Sequence, residues 1–358
     1  MNDLVQKIKE RLSIIDVASS YLKLEKAGKN YKTRCPFHNE KTPSFFISPE
    51  RNSYYCFGCN AKGDIFSFVE HFEGTDFIGA LKVLAERAGL PFSLNNNGDE
   101  MSVLYKIMEE ATKFFEDNLS KNKEASDYLS KRGLNKKSIT TFRIGYAKEE
   151  WGSLYDYLQK KGFKANDIEK AGLIKNSQNS NRYYDRFRGR IMFPISDSSG
   201  RVIAFSGRFF KKINESSDLE EAKYINSPDT PLYNKSNVLY GLDKSKTSIR
   251  SRDYTIIVEG QMDLILSHQI GFTNTVAVSG TAFTDTTKTN EDKTNSLGLI
   301  KRLSSNVIFA FDGDDAGLRA AYRSSMIALS LDMQVKIAFT SPGKDPADTI
   351  LENSNNWK

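Results

Sequence analysis

Residues 254–263 read YTIIVEGQMD and residues 306–317 read NVIFAFDGDDAG, and these two stretches decide the fold of the C-terminal part of the chain. In each stretch a short apolar run ends at an acidic residue that is followed by glycine. Between residues 254 and 340, short apolar runs alternate with longer stretches whose apolar residues have helical spacing. Strands that alternate with helices in this way predict βαβ units and a largely parallel sheet.

The acidic residues come where the predicted strands end. Glu259 and Asp263 follow the first run, Asp312 and Asp314 follow the second, and Asp345 follows the run QVKIAF at 334–339. Ligands of open α/β sheets bind beyond the carboxyl ends of the strands, so we expect these side chains to meet at one edge. Clustered carboxylates repel one another unless a cation lies between them, and Mg²⁺ prefers oxygen ligands. A single acid could instead cap a helix or face solvent, but the recurrence after three strands favours a metal site.

The three cysteines of the chain all belong to one pattern near the N-terminus. Cys35-Pro-Phe-His38 and Cys56-Phe-Gly-Cys59 are two ligand pairs, each with a two-residue spacer. Three thiolates and one imidazole suit a tetrahedral zinc ion, and four protein ligands leave no position for water. The pattern therefore predicts one structural zinc site whose metal supplies much of the folding free energy of a small module. The alternative is three buried cysteines with no metal.

Aromatic and basic residues are interleaved around the zinc pattern. The stretch PSFFISPERNSYYCFGC at 43–59 predicts a hairpin whose turn lies within 48–53. Aromatic faces among cations can stack unpaired bases, at about 1–3 kcal/mol for each base. Because side chains alternate along a strand, we expect some of these rings to pack in the core and others to face nucleic acid. Phe46 and Tyr55 are predicted to belong to the second group.

A basic segment precedes the acidic sheet. Arginines are frequent between residues 182 and 208, and two lysines follow within KYINSPDTPLYNKS at 223–236. Such residues can follow a phosphate backbone or bind a triphosphate, although charged hairpin surfaces are also common in proteins without that role. The residues predicted to bind nucleic acid or nucleotide here are Arg188, Arg190, Arg208, Lys223 and Lys235.

The length and composition of the chain predict the number of domains and the cellular location. At roughly 150 residues per domain, 358 residues correspond to two or three domains. The polar stretch SLNNNGDE at 93–100 is the predicted linker, and 285–296 is a predicted polar loop. No apolar run reaches the ~20 residues that a membrane helix needs, and the charged N-terminus is a poor secretory signal. We therefore expect a cytoplasmic protein without a membrane partner, and the net charge of +6 permits a polyanionic one.

The chain strongly resembles the bacterial DnaG-type replicative primases. The matching stretches are KNYKTRCPFHNEKTPSF, YYCFGCNAKGDIFSFV, FRGRIMFPI, GRVIAFSGR, KYINSPDTPLY, LYGL, VEGQMD and FAFDGDDAG. The first two resemble the zinc ribbon of that family, and the last two resemble its TOPRIM fold. The resemblance implies an α+β multidomain protein, with a small zinc-ribbon domain before a mixed α/β catalytic core that ends in a TOPRIM sheet. The implied boundaries are 1–92 for the zinc-ribbon domain, 101–250 for the helical and basic, strand-rich subdomain of the polymerase core, and 251–358 for the TOPRIM subdomain.

The resemblance also implies an activity, site residues and partners. It implies a DNA-directed RNA polymerase that starts primers on single-stranded DNA from ribonucleoside triphosphates, acting as a monomer. Glu259, Asp312 and Asp314 would be catalytic, and Mg²⁺ or Mn²⁺ would be held by them together with Asp263 and Asp345. A replicative helicase would bind a further C-terminal region that this chain lacks. Many relatives read Asp-Pro-Asp where this chain has Asp345-Pro346-Ala347-Asp348.

Two other functions use the same features. A single-stranded DNA-binding protein could keep an inactive TOPRIM sheet, although the presence of Glu259, Asp312 and Asp314 argues against it. A TOPRIM topoisomerase or nuclease would cleave DNA strands without nucleotides. Sixteen tyrosines leave a nucleophile for that chemistry available in principle, but no partner domain for one is recognisable.

Overall fold

The computed structural model describes residues 2–38, 40–73, 75, 77–91, 98–177, 182–210, 222–278, 296–341 and 343–357. Residues 93–97 of the predicted linker lie outside the described residues, and residues 98–100 open a helix instead of continuing a linker. The predicted loop at 285–296 lies outside them as well, except for its last residue, which begins a helix. No helix in these ranges is long and apolar enough to cross a bilayer.

The N-terminal unit is an antiparallel sheet packed against helices. Its strands follow one another in the order β1-β2-β3-β4-β5, and residues Ser48 and Ser53 pair across the hairpin turn where the sequence predicted it. Phe45, Ile47 and Tyr54 point into a core shared with the helices. The elements are α1 (Asn2–Arg11), α2 (Ile14–Ser19), β1 (Glu25–Ala27), β2 (Asn30–Thr33), β3 (Phe45–Ser48), β4 (Ser53–Cys56), β5 (Lys62–Gly63), α3 (Ile65–Glu73) and α4 (Phe77–Arg87).

The middle unit is a four-stranded antiparallel sheet in the order β11-β10-β9-β6, with a separate β7–β8 hairpin. Strand β9 is buried on both faces because Met192 packs toward α5 while Ile191 and Phe193 pack toward the C-terminal unit. The elements are α5 (Gly98–Lys121), α6 (Lys123–Lys131), α7 (Lys136–Thr141), β6 (Gly145–Ala147), α8 (Ser153–Lys160), α9 (Ala165–Lys170), β7 (Ile174–Asn176), β8 (Tyr183–Asp185), β9 (Arg190–Ser196), β10 (Val202–Phe209) and β11 (Tyr224–Asn226).

The C-terminal unit confirms the predicted parallel sheet. Its strands lie in the order β13-β12-β14-β15, and each neighbouring pair is parallel. All three loops that carry the predicted acids therefore leave the sheet on the same edge. The elements are α10 (Leu242–Arg252), β12 (Thr255–Val258), α11 (Gln261–Gln269), β13 (Thr275–Ala277), α12 (Ser296–Lys301), β14 (Asn306–Phe309), α13 (Asp315–Ser330), β15 (Gln334–Ile337) and α14 (Pro346–Glu352), with short 3-10 helices at Lys235–Asn237 and Ser354–Trp357.

Polar contacts join the N-terminal unit to the C-terminal one. Lys246 of α10 pairs with Glu73 at the end of α3. Arg250, one turn further along α10, donates a hydrogen bond to the carbonyl of His71 at 2.8 Å and stacks 4.5 Å from the ring of Phe72. These contacts between the N-terminal and C-terminal units involve charged side chains. Salt therefore weakens them more than it weakens apolar packing.

Candidate active site and nucleic-acid surfaces

The acidic side chains predicted from the sequence meet at one edge of the parallel sheet. Glu259 directly follows β12, and its Oε1 accepts a hydrogen bond from the backbone N–H of Asp312 at 3.2 Å. Asp263, in the first turn of α11, accepts hydrogen bonds from the N–H groups of Gly260 and Ala347, each at 3.0 Å. The second of these bonds ties Asp263 to the start of α14, beside Asp345. Residues that are far apart in sequence are therefore neighbours here.

Burial and mutual repulsion raise the pKa values of this cluster. Burial, with the charges of Asp345 and Asp312, raises the pKa of Asp263 to about 8. Burial, with the charges of Glu259, Asp345 and Asp314, raises the pKa of Asp312 to about 7. The pKa of Glu259 is raised as well, chiefly by burial. Carboxylates held together against their own repulsion form a site in which a divalent cation is electrostatically favoured.

The oxygen atoms of the cluster fit a hard divalent metal. Oδ1 of Asp312 is buried and has no hydrogen-bond partner among the described residues, so the metal would satisfy an atom that the protein leaves unpaired. Asp314 and Asp345 each cap a helix, accepting the N–H of Gly317 and of Asp348 respectively at 2.7 Å. Each cap uses one carboxylate oxygen and leaves the second for another ligand. The capping role that the sequence left open as an alternative is therefore compatible with metal binding.

Two glycines allow the loops to approach one another at this edge. A Cβ atom at Gly317 would lie 2.2 Å from the carbonyl oxygen of Asp312. A Cβ atom at Gly313 would lie 2.4 Å from the carbonyl oxygen of Ser341, and the Gly313 N–H donates to the carbonyl of Lys344 at 2.9 Å. A larger side chain at Gly313 would push the Asp312 loop away from the segment that leads to Asp345, and one at Gly317 would displace the backbone of Asp312 itself.

The predicted basic residues lie in different environments. The exposed Lys223 is close enough to the cluster for its charge to oppose the rise in the pKa of Asp312. Arg208 is half-buried, and its guanidinium donates to the hydroxyls of Tyr128 and Tyr224 at 2.8 and 2.7 Å. Arg188 stacks on Trp151, and Lys235 begins the 3-10 helix Lys235–Asn237.

Arg190, which the sequence predicts to bind nucleic acid or nucleotide, is buried. It is only 5% exposed, and Nη1 of its guanidinium donates to the carbonyls of Gly207 and Ala222 at 3.1 and 2.9 Å. Its role is to satisfy backbone acceptors between β9, β10 and the segment before β11. Both bonds use Nη1, so the predicted contact of Arg190 with nucleic acid or nucleotide stays a prediction.

The four predicted zinc ligands form one cluster. The ligand atoms of Cys35, His38, Cys56 and Cys59 lie within 4.8 Å of one another. The Sγ atoms of Cys35 and Cys59 are 3.8 Å apart, and Cys56 Sγ lies 3.7 Å from His38 Nδ1. A tetrahedral ion with Zn–S bonds of about 2.3 Å separates its sulfur ligands by roughly 3.8 Å. The donor set and the spacing therefore both fit zinc.

Two residues that support this cluster, Glu40 and Gly58, were not predicted from the sequence. Glu40 accepts the N–H of Cys35 at 2.6 Å and lies 3.2 Å from His38 Nε2, so it orients the imidazole with Nδ1 toward the cysteines. Although burial opposes ionisation, hydrogen bonds from Ser44 and Cys35 hold the pKa of Glu40 below its ordinary value. Gly58 is needed because a Cβ atom there would lie 2.5 Å from His38 Nε2. An acid two residues after His38 was the available signal for Glu40.

A row of cations and rings crosses the outer face of the N-terminal sheet. In the strand register Lys32 is opposite Phe46, Phe46 is opposite Tyr55, and Tyr55 is opposite Lys62. The intervening residues Phe45 and Tyr54 are buried, as strand alternation predicted. Phe57 extends the row: it is 69% exposed, and its ring centroid lies 5.4 Å from that of Phe46 and 4.9 Å from that of Tyr55. Phe57 is not among the residues predicted from the sequence to bind nucleic acid.

Comparison with known proteins agrees with this architecture. Residues 1–100 match the family model described as CHC2 zinc finger, residues 114–246 the N-terminal domain of the DNA primase catalytic core, and residues 253–339 the Toprim domain. The crystal structure of the Aquifex aeolicus primase, comprising its zinc-binding and RNA polymerase domains, is 32% identical with a TM-score of 0.63. That likeness covers 99% of this chain and 83% of the other. This chain belongs to the DnaG-type DNA primase family.

Comparison with other members of the primase family shows what share of their length this chain covers. The DNA primase of Clostridium acetobutylicum is 37% identical over 358 residues, which is 98% of this chain and 57% of that protein. The chain thus spans little more than half the length of the curated primases it matches. A DnaG primase catalytic domain solved bound to single-stranded DNA has a TM-score of 0.61 and 31% identity, covering 73% of this chain and 78% of the other.

Proposed function

We propose that this primase-family chain synthesises short RNA primers on single-stranded DNA. The carrying observation is the cluster of Glu259, Asp263 and Asp312 at the edge of the parallel sheet, where the buried Oδ1 of Asp312 has no partner among the described residues. A carboxylate cluster of this kind suits phosphoryl transfer from a nucleoside triphosphate. The zinc ribbon and its outer row of rings supply a second surface for the template.

The side chains divide the chemistry between them. Asp312, Asp314 and Asp345 would hold Mg²⁺ or Mn²⁺, with Asp263 fixing the position of the α14 loop against α11. The bound metal would neutralise and orient the triphosphate of the incoming ribonucleotide. The primer 3′-oxygen attacks the α-phosphorus, a new phosphodiester forms, and pyrophosphate leaves. Glu259, whose pKa burial raises above its ordinary value, follows β12 beside Asp312 and is suited to accept the proton of the attacking hydroxyl.

Cations on the middle unit are suited to bind the substrates. Lys223 is exposed and acts electrostatically on Asp312, so it is placed to meet the phosphates of the nucleotide. Arg208 is held by the hydroxyls of Tyr128 and Tyr224, an arrangement that would fix the direction of its remaining donors. We retain Arg188, Arg190 and Lys235 as proposed contacts to the nucleic acid or nucleotide.

The test is primer synthesis on a single-stranded template with ribonucleotides and Mg²⁺. We expect short RNA products from the parent protein and at least a hundredfold less from Asp312→Ala, with Asp315→Ala as the matched control because Asp315 is exposed in the adjacent turn. Equal activity of Asp312→Ala and the parent would refute the site. If no primer forms but single-stranded DNA still binds, the chain is a DNA-binding protein. Nicking or relaxation of supercoiled DNA without nucleotides would instead identify a TOPRIM topoisomerase or nuclease.

A further inference from the structure

The turn between α6 and α7 (residues 131–137) carries a cluster of cations that the site described above does not use. It reads KRGLNKK, and Lys131, Lys136 and Lys137 are all exposed. Among the described residues, none of these three side chains has an ion-pair or hydrogen-bond partner, and Nε of Arg132 is buried without one. Exposed lysines on other helices pair with an acid one turn away: Lys7 with Asp3, Lys113 with Glu110 and Lys121 with Asp117. The α6–α7 turn thus holds positive charge that no described acid compensates, which favours an anionic ligand.

Hydrogen bonds to Gln269, at the end of α11, fix the backbone of the α6–α7 turn. Oε1 of Gln269 accepts the N–H of Asn135 at 3.0 Å and the hydroxyl of Ser138 at 2.9 Å. Nε2 of the same side chain donates to the carbonyl of Gly133 at 2.9 Å. Gly133 has a φ of 85°, and a Cβ atom there would lie 2.2 Å from Cδ2 of Leu351 in α14. The turn is therefore built onto the C-terminal unit, and cations on a fixed backbone lose less entropy on binding than those of a mobile loop.

Helix α6 connects the turn to the surroundings of the carboxylate cluster. Tyr128 lies one helical turn before Lys131 on the same face of α6. Its hydroxyl accepts a hydrogen bond from Arg208 at 2.8 Å, and Arg208 also donates to the hydroxyl of Tyr224 at 2.7 Å. Burial raises the pKa of Tyr224, and the negative charge of Asp263 contributes to that rise. The cations of the turn thus extend a positively charged surface that begins with Arg208, near the catalytic edge.

The length of α11 gives the distance between the turn and the catalytic edge. Asp263 lies in the first turn of α11 and Gln269 ends the helix, so the two are six residues apart, a rise of roughly 9 Å. One strand of a duplex advances about 3.4 Å per nucleotide, so this distance corresponds to roughly three base pairs. A primer would reach the turn only after several nucleotides had been joined, and the first phosphodiester bond would form without it.

The chemistry of the turn suits a duplex better than a single strand. Of the large apolar side chains exposed on the described residues, none lies between residues 122 and 141. The turn therefore offers cations but no exposed ring on which an unpaired base could stack, and no apolar surface for the core of a protein interface. A duplex keeps its bases stacked inside and presents its phosphates, which lysine binds as a point charge.

From this geometry we propose that Lys131, Arg132, Lys136 and Lys137 bind the phosphate backbone of the RNA–DNA duplex as the primer and its template leave the carboxylate edge. The proposal rests on the proposed function, because its ligand is the product of primer synthesis. The cations make and break no bonds; they keep a primer longer than roughly three nucleotides attached to the protein. The surface differs from the row on the zinc ribbon, which combines cations with exposed rings.

Binding of a short RNA–DNA hybrid tests this surface directly. The triple variant Lys131→Ala/Lys136→Ala/Lys137→Ala leaves the bonds to Gln269 in place, because those use backbone groups and the hydroxyl of Ser138. Each phosphate contact contributes about 0.9 to the slope of log K against log salt, so the slope should fall by about 2.7. Raising the salt from about 50 to about 200 mM should then weaken hybrid binding roughly 40-fold more for the parent than for the variant, as measured by anisotropy.

Two further variants separate phosphate binding from a change in the fold. Arginine in place of each of the three lysines keeps the charges and should retain the slope of the parent. The triple variant Lys160→Ala/Lys161→Ala/Lys164→Ala makes the same change in net charge on exposed positions between α8 and α9, and it should leave the slope unchanged. Thermal melting of each protein checks that the fold is retained.

Primer synthesis tests at which stage of the reaction the turn acts. On a single-stranded template with ribonucleotides and Mg²⁺, the variant without Lys131, Lys136 and Lys137 should form the first dinucleotide at the rate of the parent. It should release or abandon longer primers, so products of more than about four nucleotides should fall roughly 5- to 10-fold. Gel separation of the products by length measures both quantities in one reaction.

The outcomes distinguish this surface from the proposed function. A smaller salt slope for the hybrid, together with unchanged dinucleotide formation, supports the surface. An unchanged slope overturns it, and so does an equal loss of dinucleotide and longer products, which would place the lysines in the first step. Equal losses of affinity for a single strand and for the hybrid would overturn the choice of a duplex. If the parent forms no dinucleotide while hybrid binding still depends on the lysines, the proposed function fails and the turn stands as a duplex-binding surface.

Discussion

Replacing Asp312 by asparagine should make the metal-free protein more stable at alkaline pH. The side chain of Asp312 makes no hydrogen bond among the described residues, and its Oδ1 is buried without a partner. The substitution to asparagine therefore removes a negative charge from a repelling cluster without removing a cap or a backbone contact. Most polar substitutions at partly buried sites destabilise, so the predicted sign is unusual.

The magnitude follows from the pKa of Asp312, which rises from an ordinary 3.8 to about 7 because of burial and the nearby carboxylates. The folded state binds the proton more tightly than the unfolded chain does, so stability falls as pH increases from about 4 to about 7. A difference of about three in pKa corresponds to at most about 4 kcal/mol. Water screens a partly exposed group, which reduces the expected gain to about 1–2 kcal/mol.

The assay is thermal unfolding of parent and Asp312→Asn at pH 4.5 and pH 8, after dialysis to remove Mg²⁺ without a chelator that would extract zinc. We expect Asp312→Asn to melt roughly 2–8 °C above the parent at pH 8 and by a smaller margin, about half of that, at pH 4.5, where the carboxyl of the unfolded chain is already mostly ionised. Added Mg²⁺ should stabilise the parent at pH 8 and have much less effect on the variant. The control Asp315→Asn removes an exposed acid from the same loop and should show no such pH dependence.

Two results would refute this reasoning. If Asp312→Asn were less stable than the parent at pH 8, the carboxylate would be making a favourable contact that the structure does not show. If the gain were the same at pH 4.5 and pH 8, its cause would not be the charge. Either result would remove the electrostatic basis for a cation at the edge of the sheet.

Three further predictions concern other parts of the molecule. Removal of zinc should unfold the N-terminal sheet while the parallel sheet stays folded, and hydrogen exchange should then accelerate in residues 25–63 and not in 255–309. Phe57→Ala should weaken single-stranded DNA binding roughly 5- to 150-fold by removing one stacking ring, as measured by anisotropy against the control Phe77→Ala. Asp185→Ala should lower the free energy of unfolding by about 1–3 kcal/mol because the N–H groups of Leu154 and Tyr155, now bonded at 2.8 and 2.9 Å, would lose their acceptor. Denaturant unfolding checks this last value against Asp156→Ala, and equal stability of the two variants would contradict it.

The features that sequence predicted well are those fixed by local pattern. The zinc pairs are two short turns, and the parallel sheet follows from alternating apolar runs, so both could be derived without long-range information. The meeting of Glu259 with Asp312 followed from one rule, that parallel strands end at the same edge. To place Glu259 and Asp312 together, it was enough to know that their strands run parallel.

The features that sequence missed depend on tertiary contacts. Arg190 is buried because β9 is covered on both faces, which no pattern within β9 reveals. Glu40 acts through His38, and its hydrogen bonds depend on the turn between two strands. Trp151 lies in a loop, where aromatic residues have no periodicity to show whether they point inward or outward. Each case needs knowledge of what packs against the residue.

The cap roles of Asp314 and Asp345 affect how related sequences should be compared. A homologue without the proposed chemistry would still need an acceptor at the start of α13 and of α14, so selection for folding alone would keep both aspartates. The side chain of Asp312 caps no helix, and its replacement by asparagine should make the metal-free fold more stable. Among homologues, therefore, the presence of aspartate at position 312 is the better indicator that the proposed chemistry is retained.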